Sequence, residues 1–261
     1  MLEKIKRVIE YARCAAALGV TVSDKCDLFW RQMKNVRVQF GMTQYDPDSR
    51  YKVRTKYGVF HFRDNFGDIT NLFKLIYQGE YRFRTLDAEG VILDVGANIG
   101  LTAGWFAHHN PDRPIYCFEP LADNVTLIRL NCPSATIQQA AVGAKAGRMT
   151  LKVDPDNIMA SSIPNPWVTH EVSFEVTTLD QFTAEHSLGS VALLKIDAEG
   201  MEDEILDGAR HTLRRTHNVV LETHGRQKHE TVSNFLRNNG FQIDSESFSD
   251  TTGLLFASRI Q

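Results

Sequence analysis

From residue 90 onward, short apolar runs alternate with stretches whose apolar residues recur at helical spacing. Strands that alternate with helices of about 10–15 residues are typical of a mostly parallel sheet with helices on both faces. Two β-rich runs around Asp250 to Gly253 predict a terminal hairpin, which would make the last strand antiparallel to its neighbour. The sequence therefore predicts an α/β fold. The apolar runs are VILDVG (91–96), PIYCFEP (114–120), ATIQQAAVG (135–143), VALLKIDAEG (191–200) and NVVLETH (218–224).

The N-terminal part of the chain departs from this alternation. Residues 1–35 have helical periodicity, and β-rich residues follow in VRVQF (36–40) and YKVRTKYGVFHFR (51–63). Apolar residues at helical spacing predict a further helix from Asp68 to Tyr77, and Gly79 is predicted to end it.

Two divisions of the chain follow from these patterns. Residues 1–84 are predicted to form a helical and β-hairpin extension that serves as a lid, an acceptor surface or a dimer surface. Residues 85–261 are predicted to form the main domain. Within it, the segment from Gly147 to Phe182 is predicted to be an inserted hairpin with a mobile loop.

The first helix is predicted to be amphipathic, with an apolar face of Ile5, Val8, Ile9, Ala12 and Ala16. Charged residues interrupt the apolar run, which argues against a signal peptide. No run approaches the roughly 18 apolar residues of a membrane span. We expect this face to pack on the chain's own core rather than on a membrane surface.

Composition narrows the class of partner. The formal net charge is -3, with 29 Lys and Arg against 32 Asp and Glu, which does not favour a nucleic-acid-binding protein. Cys14, Cys26, Cys117 and Cys132 form no C-x-x-C pair, so free thiols in a reducing, cytoplasmic location are expected. The expected partner is a small molecule, without nucleic acid or membrane, and a homodimer is left open.

A glycine-rich turn follows the first apolar run, at the edge where open α/β sheets bind ligands. It contains Asp94, Gly96, Asn98 and Gly100, and its glycines allow a close approach of the backbone to a ligand. Asn98 stands where the dinucleotide fingerprint G-x-G-x-x-G has its second glycine. Since Asp94 repels a pyrophosphate but suits an ammonium group, the turn does not favour a nicotinamide dinucleotide.

A second acid, Glu119, ends the next apolar run, and its carboxylate can accept hydrogen bonds from both hydroxyls of a ribose. Together with Asp94 it describes a pocket for a nucleoside that carries a cationic amino-acid arm. The cofactor that fits this description is S-adenosyl-L-methionine.

Seven short segments between about residues 64 and 225 carry a family resemblance. They are GEY (79–81), ILDVGANIGLTA (92–103), FEP (118–120), AAVG (140–143), TLD (178–180), LLKIDAEGMEDEILDGA (193–209) and LETH (221–224). Together they resemble the FkbM family of S-adenosylmethionine-dependent methyltransferases. The resemblance implies a Rossmann-like, seven-stranded, mostly parallel sheet of the class I methyltransferase fold in residues 85–261. It also implies O-methylation of a small molecule, such as a sugar, a polyketide or another natural product.

The resemblance further implies a set of cofactor-binding residues. They comprise a loop for the methionine arm, an acid for the ribose, a backbone edge for the adenine and a short motif that closes the pocket. In this sequence the matching residues are Asp94, Gly96, Asn98 and Gly100 for the loop, Glu119 for the ribose, Ala141 and Val142 for the adenine, and Glu80 and Tyr81 for the closing motif.

The fourth apolar run is predicted to supply part of the reacting end. Lys195, Asp197 and Glu199 share one face for as long as the strand stays extended. A buried lysine must be paired or must shift its pKa, so we expect an ion pair with an acid such as Asp94 or Glu222. Asp197 is expected beside the cofactor pocket, with a role in cofactor binding and in catalysis.

Glu222 and His224 end the fifth run and are expected beside Asp197 and Glu199. Three interpretations are open. His224 or one of the acids is the general base for an acceptor hydroxyl, or the cluster binds a divalent metal such as Mg²⁺ or Mn²⁺ that orients a diol, or it is a hydrogen-bonded network. Glu202, in the first turn of the next helix, is predicted to have a mainly structural role.

Other functions are also open at this point: N-methylation of a small molecule, a nicotinamide-dependent oxidoreductase, and a non-catalytic nucleoside-binding module. Asn98 argues against the oxidoreductase, and the intact acids argue against a decayed site. The acceptor is not identified by the sequence. Its contacts are expected from residues 1–63, from the loop 155–170 with Trp167, and from the segment after Gly225.

Overall fold

The structure of the protein, a computed structural model, describes residues 2–81, 86–154, 159–161 and 170–260. Its N-terminal part is a helical hairpin, then a β-hairpin, then a short α-helix that continues as a π-helix. The elements are α1 (Leu2–Leu18), α2 (Val22–Gln39), β1 (Arg50–Thr55), β2 (Gly58–Arg63), α3 (Phe66–Asn71) and the π-helix Leu72–Tyr77.

Two details of this part differ from the sequence prediction. The run 36–40, predicted as β-rich, belongs to α2 and its C-terminal cap at Phe40. A capping box at Thr21 starts that helix, in which Thr21 and Asp24 bond each other's backbone N–H groups. Once α2 is nucleated in this way, helix continues through the β-branched residues at its end. The helix predicted from Asp68 to Tyr77 is present, but its second half is π-helical.

The rest of the described chain alternates strands and helices. The elements are β3 (Val91–Val95), α4 (Leu101–His109), β4 (Ile115–Phe118), α5 (Ala122–Asn131), β5 (Thr136–Gln138), β6 (Ala141–Val142), β7 (Gly147–Asp154), β8 (Met159–Ser161), β9 (His170–Thr177), α6 (Leu179–Glu185), β10 (Val191–Ile196), α7 (Glu202–Asp207), α8 (Arg210–Leu213), β11 (Thr216–His224), α9 (Arg226–Asn238), β12 (Phe241–Ser249) and β13 (Thr252–Arg259).

Seven of these strands form the central sheet, in the order β12-β13-β11-β10-β3-β4-β5. The pairs from β11 through β5 are parallel. β13 runs antiparallel to both β11 and β12, as the terminal hairpin predicts. The predicted α/β fold, with its Rossmann-like, mostly parallel seven-stranded sheet, is confirmed.

A second, four-stranded sheet with the order β6-β9-β7-β8 contains the inserted hairpin. The run ATIQQAAVG is divided between the two sheets, since β5 pairs with β4 and β6 pairs with β9. The loop predicted at 155–170 lies largely outside the described residues, and Trp167 lies outside them. α6, which is not predicted from the sequence, has Thr178 as its N-cap, and the Thr178 side chain accepts the N–H of Gln181.

The N-terminal extension packs on the main domain through one shared core. A methyl group on Gly104 of α4 would lie 2.8 Å from the Phe60 ring of β2, so the β-hairpin and α4 are in close contact. The Asn131 side chain bridges the same contact, because it bonds both backbone groups of His61 and the carbonyl of Ile99. The extension is therefore tied to the loop that follows β3.

The prediction that the apolar face with Ile5 and Ile9 packs on the core is wrong. Ile5 and Ile9 are 53% and 46% exposed, whereas Cys14 and Leu18 on another side of the helix are buried. The buried side faces α2 and the π-helix, where Tyr11 packs edge-to-face on Phe73 at 5.5 Å. α1 has apolar residues on more than one side, so periodicity alone could not show which side meets the core. No helix in the described part of the chain is long and apolar enough to cross a membrane.

A buried ion pair joins three elements of the extension and the main domain. Arg63, at the end of β2, bonds Asp68 of α3 through its Nε and Nη2 atoms, and both side chains are at most 3% exposed. Its Nη1 donates to Asn124 of α5. Such a network is sensitive to the loss of one member, because the remaining charge stays buried without its partner.

We expect Arg63→Met to lower the free energy of unfolding by about 3–5 kcal/mol, because Asp68 is then left as an uncompensated buried charge. Chemical denaturation measures this change. Arg148→Met is the matched control, since Arg148 and Glu175 form an ion pair whose side chains are 70% and 66% exposed. The control should lose less than about 1 kcal/mol. Equal losses in the two variants would contradict the assigned role of the Arg63 network.

Candidate active site

The glycine turn after β3 lies against the end of β10. Gly96, Asn98 and Gly100 adopt positive φ angles of 72°, 49° and 81°. A Cβ atom on Gly96 would lie 1.7 Å from the carbonyl oxygen of Asp197, so only glycine fits there. Gly100 precedes α4 and takes the left-handed conformation at its N-terminus. The turn is therefore shaped by backbone contacts between two strand ends.

Lys195 fixes this turn from below. Its Nζ lies 3.0 Å from Asp94 Oδ1 and donates to the carbonyl oxygens of Val95 and Gly96 at 3.3 and 2.8 Å. Lys195 is 1% exposed and Asp94 is fully buried. Burial alone would lower the pKa of Lys195, but the carboxylates of Asp94 and Asp197 outweigh it and raise the pKa, so the ammonium stays charged.

The ion pair expected for Lys195 is thus present, with Asp94 as its partner. The same contact changes the position expected of Asp94. Its carboxylate was expected to face a ligand ammonium group, but Asp94 is not among the described residues that line the nearby cavities. Asp94 points at Lys195 because a buried ammonium needs a counter-charge. It supports the turn from behind.

Glu119 lies on the other side of the turn, at the end of β4. One carboxylate oxygen accepts the N–H of Asn98 at 2.9 Å, and the other accepts from the Leu121 N–H and the Asn124 amide. Burial raises the pKa of Glu119 to about 7, although these hydrogen bonds act in the opposite direction. The acid is therefore poised near neutral pH and is held against the glycine turn.

Two adjoining cavities open along these strand ends. The first, of about 640 Å³, is lined by the predicted ribose and adenine residues Glu119, Ala141 and Val142. The second, of about 780 Å³, is lined by Lys74, Glu80, Lys195 and Glu222. Four residues line both cavities, which therefore lie side by side: Gly96, Asn98, Asp197 and Glu199.

Tyr81 and Glu80, the residues of the predicted closing motif, lie beside Asp197. The Tyr81 hydroxyl donates to Asp197 Oδ2 at 3.1 Å, and the Tyr81 side chain is buried. Burial, followed by the charge of Asp197, raises the pKa of Tyr81, so its hydroxyl stays protonated and can donate. Burial also raises the pKa of Glu80, whose side chain faces the second cavity.

Glu199, His224 and Glu202 form a line that leads away from the cavities. β10 ends at Ile196, and Glu199 lies in a turn with a φ of 48°. The strand face that was predicted to include Lys195 and Glu199 therefore ends before Glu199. His224 Nε2 is 3.5 Å from Glu199 Oε2, and His224 Nδ1 is 2.8 Å from Glu202 Oε1. Glu202 is fully buried.

His224 contacts Glu199, which lines the cavities, but His224 is not one of their described lining residues. Burial would lower the pKa of His224, but the hydrogen bond to Glu202 and the charges of Glu199 and Glu202 raise it to about 9. Burial raises the pKa of Glu199 to about 7 and that of Glu222 to about 8.

The same side chains include one group that could hold a metal ion. Ligand atoms of Asp197, Glu199 and His224 lie within 4.8 Å of one another. Two carboxylates and an imidazole are compatible with a divalent transition metal such as Mn²⁺. The distances are equally those of a hydrogen-bonded network, because His224 already contacts both Glu199 and Glu202.

The contact between Glu202 and His224 is not predicted from the sequence. Glu202 lies in the first turn of a helix, as predicted. The carboxylate turns inward, where it accepts both the Gly200 N–H and the His224 ring N–H. A sequence does not show the direction of a side chain in a first helical turn, and only the spacing Glu199-x-x-Glu202 hinted at a shared site.

We expect Gly96→Ala to lower the free energy of unfolding by about 2–4 kcal/mol, through overpacking against Asp197 and a left-handed backbone at a residue with a side chain. The cavities should also be deformed. Gly189→Ala is the control, because an added methyl there meets no atom within 4 Å. Thermal and chemical unfolding measure both variants. A Gly96→Ala protein as stable as the Gly189→Ala protein would contradict the close contact of the two strand ends.

A family model described as the Methyltransferase FkbM domain matches residues 94–243 of the chain. The matched region contains the glycine turn, Glu119, Asp197 and His224. It covers more than half of the chain, and it begins within β3 and ends within β12.

Three curated proteins are similar in sequence. 2-O-methyltransferase NoeI of Sinorhizobium fredii is 27% identical over 161 residues, which are 54% of this chain and 65% of NoeI. 31-O-demethyl-FK506 methyltransferase FkbM of Streptomyces tacrolimicus is 28% identical, over 70% of this chain and 85% of that protein. Hexuronic acid methyltransferase AglP of Haloferax volcanii is 24% identical, over 67% of this chain and 70% of that protein.

A seven-stranded, mostly parallel sheet, a glycine turn after β3 and an acid at the end of β4 are features that the resemblance of the sequence implies. The family match includes the glycine turn and the ends of β4, β10 and β11. The chain belongs to the FkbM methyltransferase family.

Proposed function

We propose that the protein transfers a methyl group from S-adenosylmethionine to a hydroxyl group of a small molecule. Family membership supports methyl transfer. The names of two relatives, a 2-O-methyltransferase and a 31-O-demethyl-FK506 methyltransferase, support oxygen over nitrogen as the acceptor atom. The observation that carries the proposal is that the two cavities share the lining residues Gly96, Asn98, Asp197 and Glu199, because a donor and an acceptor must meet at one point.

The residues of the first cavity fit the proposed cofactor. Gly96 and Asn98 line this cavity, and Asn98 Oδ1 is buried without a hydrogen-bond partner among the described residues. An orphaned buried acceptor is costly unless a ligand or water bonds it. Glu119 offers carboxylate oxygens for the ribose hydroxyls, and Ala141 and Val142 offer a backbone edge for the adenine.

S-adenosylmethionine, when bound, supplies an electrophilic methyl group. The task of the protein is then to orient the acceptor and to accept its hydroxyl proton. We assign Glu199 as the general base that accepts this hydroxyl proton, because it lines both cavities and has a pKa of about 7. Asp197 is held by the Tyr81 hydroxyl, and the pKa of Glu222 is about 8, so it is mostly protonated at neutral pH.

His224 and Glu202 are positioning residues in this assignment. With a pKa of about 9, His224 carries a positive charge at neutral pH and stabilises the ionised form of Glu199. Glu202 fixes the ring of His224 by accepting its Nδ1–H. The sequence leaves His224 and the acids open as the general base, and the proposal assigns this role to Glu199.

The second cavity is the proposed acceptor site. Glu80, Glu222, Asp197 and Glu199 line it together with Lys74, so hydroxyl and amine groups find hydrogen-bond acceptors there. Lys74 belongs to the π-helix, so the N-terminal extension contributes one wall. Labelled methyl transfer to a panel of hydroxylated sugars, polyketides and phenols tests the function. No transfer to any hydroxyl, with transfer to amines instead, would overturn O-methylation.

A divalent metal that orients a diol is the second candidate, and its support is the cluster of Asp197, Glu199 and His224. A metal would need His224 to lose its proton and turn Nε2 toward the ion, which the hydrogen bond from Nδ1 to Glu202 permits.

We expect the affinity for S-adenosylhomocysteine to fall about tenfold when the pH is lowered from 8 to 6, because Glu119 with a pKa of about 7 then gains a proton. Calorimetric titration measures the affinity. Glu119→Gln should bind weakly and without this pH dependence. His224→Ala is the control and should keep it. A pH dependence that survives in Glu119→Gln would assign it to another group.

We expect Glu199→Gln to lower kcat by about 10²–10⁴ with little change in S-adenosylhomocysteine affinity, since general-base catalysis contributes this much. His224→Ala should also lose activity but keep cofactor affinity. Because it removes a cation beside Glu199, it should raise the pKa of that acid and move the ascending limb of the rate profile to higher pH. Steady-state kinetics across pH measure both effects.

The exposed variant Glu185→Gln on α6 is the control for these kinetics and should behave as the wild type. Loss of cofactor affinity in parallel with activity would contradict the base assignment. Glu202→Gln should give the same pH shift as His224→Ala in a smaller degree. If a chelator abolishes turnover and Mg²⁺ or Mn²⁺ restores it, the metal is the better explanation of the cluster.

A further inference from the structure

The helical hairpin of the extension has an apolar stripe on the outer side of α1. Ile5, Ile9, Ala12 and Ala16 are exposed. At about 100° per residue, these four side chains fall within an arc of about 60°. The core takes a different side of the helix, on which Cys14 is buried. The α1 stripe, as we call these four residues, is therefore an addition to the apolar surface that the fold itself requires.

α2 carries a similar stripe. Val22, Cys26 and Trp30 are exposed, and Phe40, at the end of the helix, continues the same side. These residues, the α2 stripe, fall within an arc of about 80°. The opposite side of α2, with Leu28 as its apolar member, is buried. Trp30 is 62% exposed and Val22, about two helical turns earlier, is 78% exposed, so the stripe exposes large apolar side chains along one side of the helix.

The charge of the chain is divided unevenly between its parts. Residues 1–63 contain 13 Lys and Arg but 6 Asp and Glu, a formal charge of +7, whereas the whole chain has a charge of -3. The remaining residues therefore carry a charge of -10. Such an asymmetry between parts of one chain is typical of a basic segment that meets an anionic surface. The overall net charge conceals it.

Basic side chains flank both stripes. Lys6 and Arg13 are exposed on α1 beside its stripe, and Arg37 is exposed on α2. Three acids of the same helices form ion pairs with arginines. Ion pairs join Glu10 to Arg13, Asp24 to Arg54, and Asp27 to Arg31. The outer surface of the hairpin thus combines apolar stripes with a positive margin.

Three kinds of partner could cover this surface, and the observations favour one. In a symmetric dimer the same patch faces itself, so two segments of charge +7 would be brought together at an unfavourable electrostatic energy. A nucleic acid would use the positive charge but would leave Ile5, Ile9 and Val22 exposed to water. An anionic lipid surface fits both the apolar stripes and the positive charge. Aliphatic and indole side chains enter the membrane interface, and Lys and Arg contact the anionic headgroups.

We propose that the α1 and α2 stripes form a binding surface for an anionic lipid bilayer. The apolar side chains insert at the level of the headgroups, and the basic margin provides attraction that weakens with salt. The interaction is peripheral and reversible. It reverses the expectation from the sequence that the apolar side of α1 packs inside the protein, and it does not depend on the proposed methyl transfer.

Co-sedimentation of the full chain with lipid vesicles tests the proposal. We expect at least about tenfold stronger binding to vesicles of phosphatidylcholine with about one third phosphatidylglycerol than to pure phosphatidylcholine, and weaker binding in high salt. The double variant Ile9→Gln/Trp30→Gln should lose most of this binding. Leu130→Gln is the matched control, because Leu130 is a 48% exposed leucine on α5, outside both stripes.

A second pair of variants separates charge from apolar contact. Lys6→Gln/Arg37→Gln should weaken binding to anionic vesicles and flatten its salt dependence, whereas the exposed pair Lys145→Gln/Arg148→Gln should not. Tryptophan fluorescence gives a direct readout. The wild type should show a blue shift on adding anionic vesicles, and Trp30→Gln, which keeps Trp105 and Trp167, should not. Thermal unfolding and S-adenosylhomocysteine binding check that each variant is folded.

Several results would overturn the proposal. They are equal binding to neutral and anionic vesicles, no vesicle binding at all, and stripe variants that bind like the wild type. A dimer in analytical ultracentrifugation that Ile9→Gln/Trp30→Gln dissociates would assign the surface to a second copy. Binding of duplex DNA that the charge variants lose but the stripe variants keep would assign it to a nucleic acid. A methyltransferase assay is not part of any of these outcomes.

Discussion

The ammonium group of Lys195 is the interaction on which the candidate active site depends. It joins β10 to the end of β3, because it contacts Asp94 and two backbone carbonyls of the glycine turn. A buried charge is costly, and here one carboxylate and two carbonyl oxygens offset that cost. The two strand ends can then approach so closely that Gly96 has no room for a side chain. The glycine turn, which lines both cavities, is held in place by this contact.

The fold was predictable from sequence because it depends on patterns that repeat. The alternation of strands and helices predicts the parallel sheet. The short motifs predict which strand ends lie on the cofactor side. The orientation of individual side chains was less predictable. Asp94 has the expected place in the chain but turns toward Lys195, and Glu202 turns toward His224. Both directions depend on a partner about 20 or more residues away in the sequence, which no local pattern contains.

The line from Glu202 through His224 to Glu199 shows how orientation and protonation are linked. The carboxylates that hold the imidazole in place also raise its pKa to about 9, which makes it a poor base at neutral pH. The resulting positive charge favours ionised Glu199, whose pKa of about 7 suits proton transfer near neutral pH. In the proposed mechanism, His224 therefore acts as a fixed positive charge and Glu199 accepts the proton.

The net charge and hydrophobicity of the whole chain do not describe its N-terminal extension. A net charge of -3 and ordinary hydrophobicity describe the chain as a unit, but its first 63 residues are strongly basic. Helical periodicity correctly identified an apolar side of α1 and could not decide whether that side faces inward, because α1 has two. The core needed only one of them. Since a second apolar side raises the free energy of the free protein in water, its place beside a positive margin is best explained by a surface that covers it.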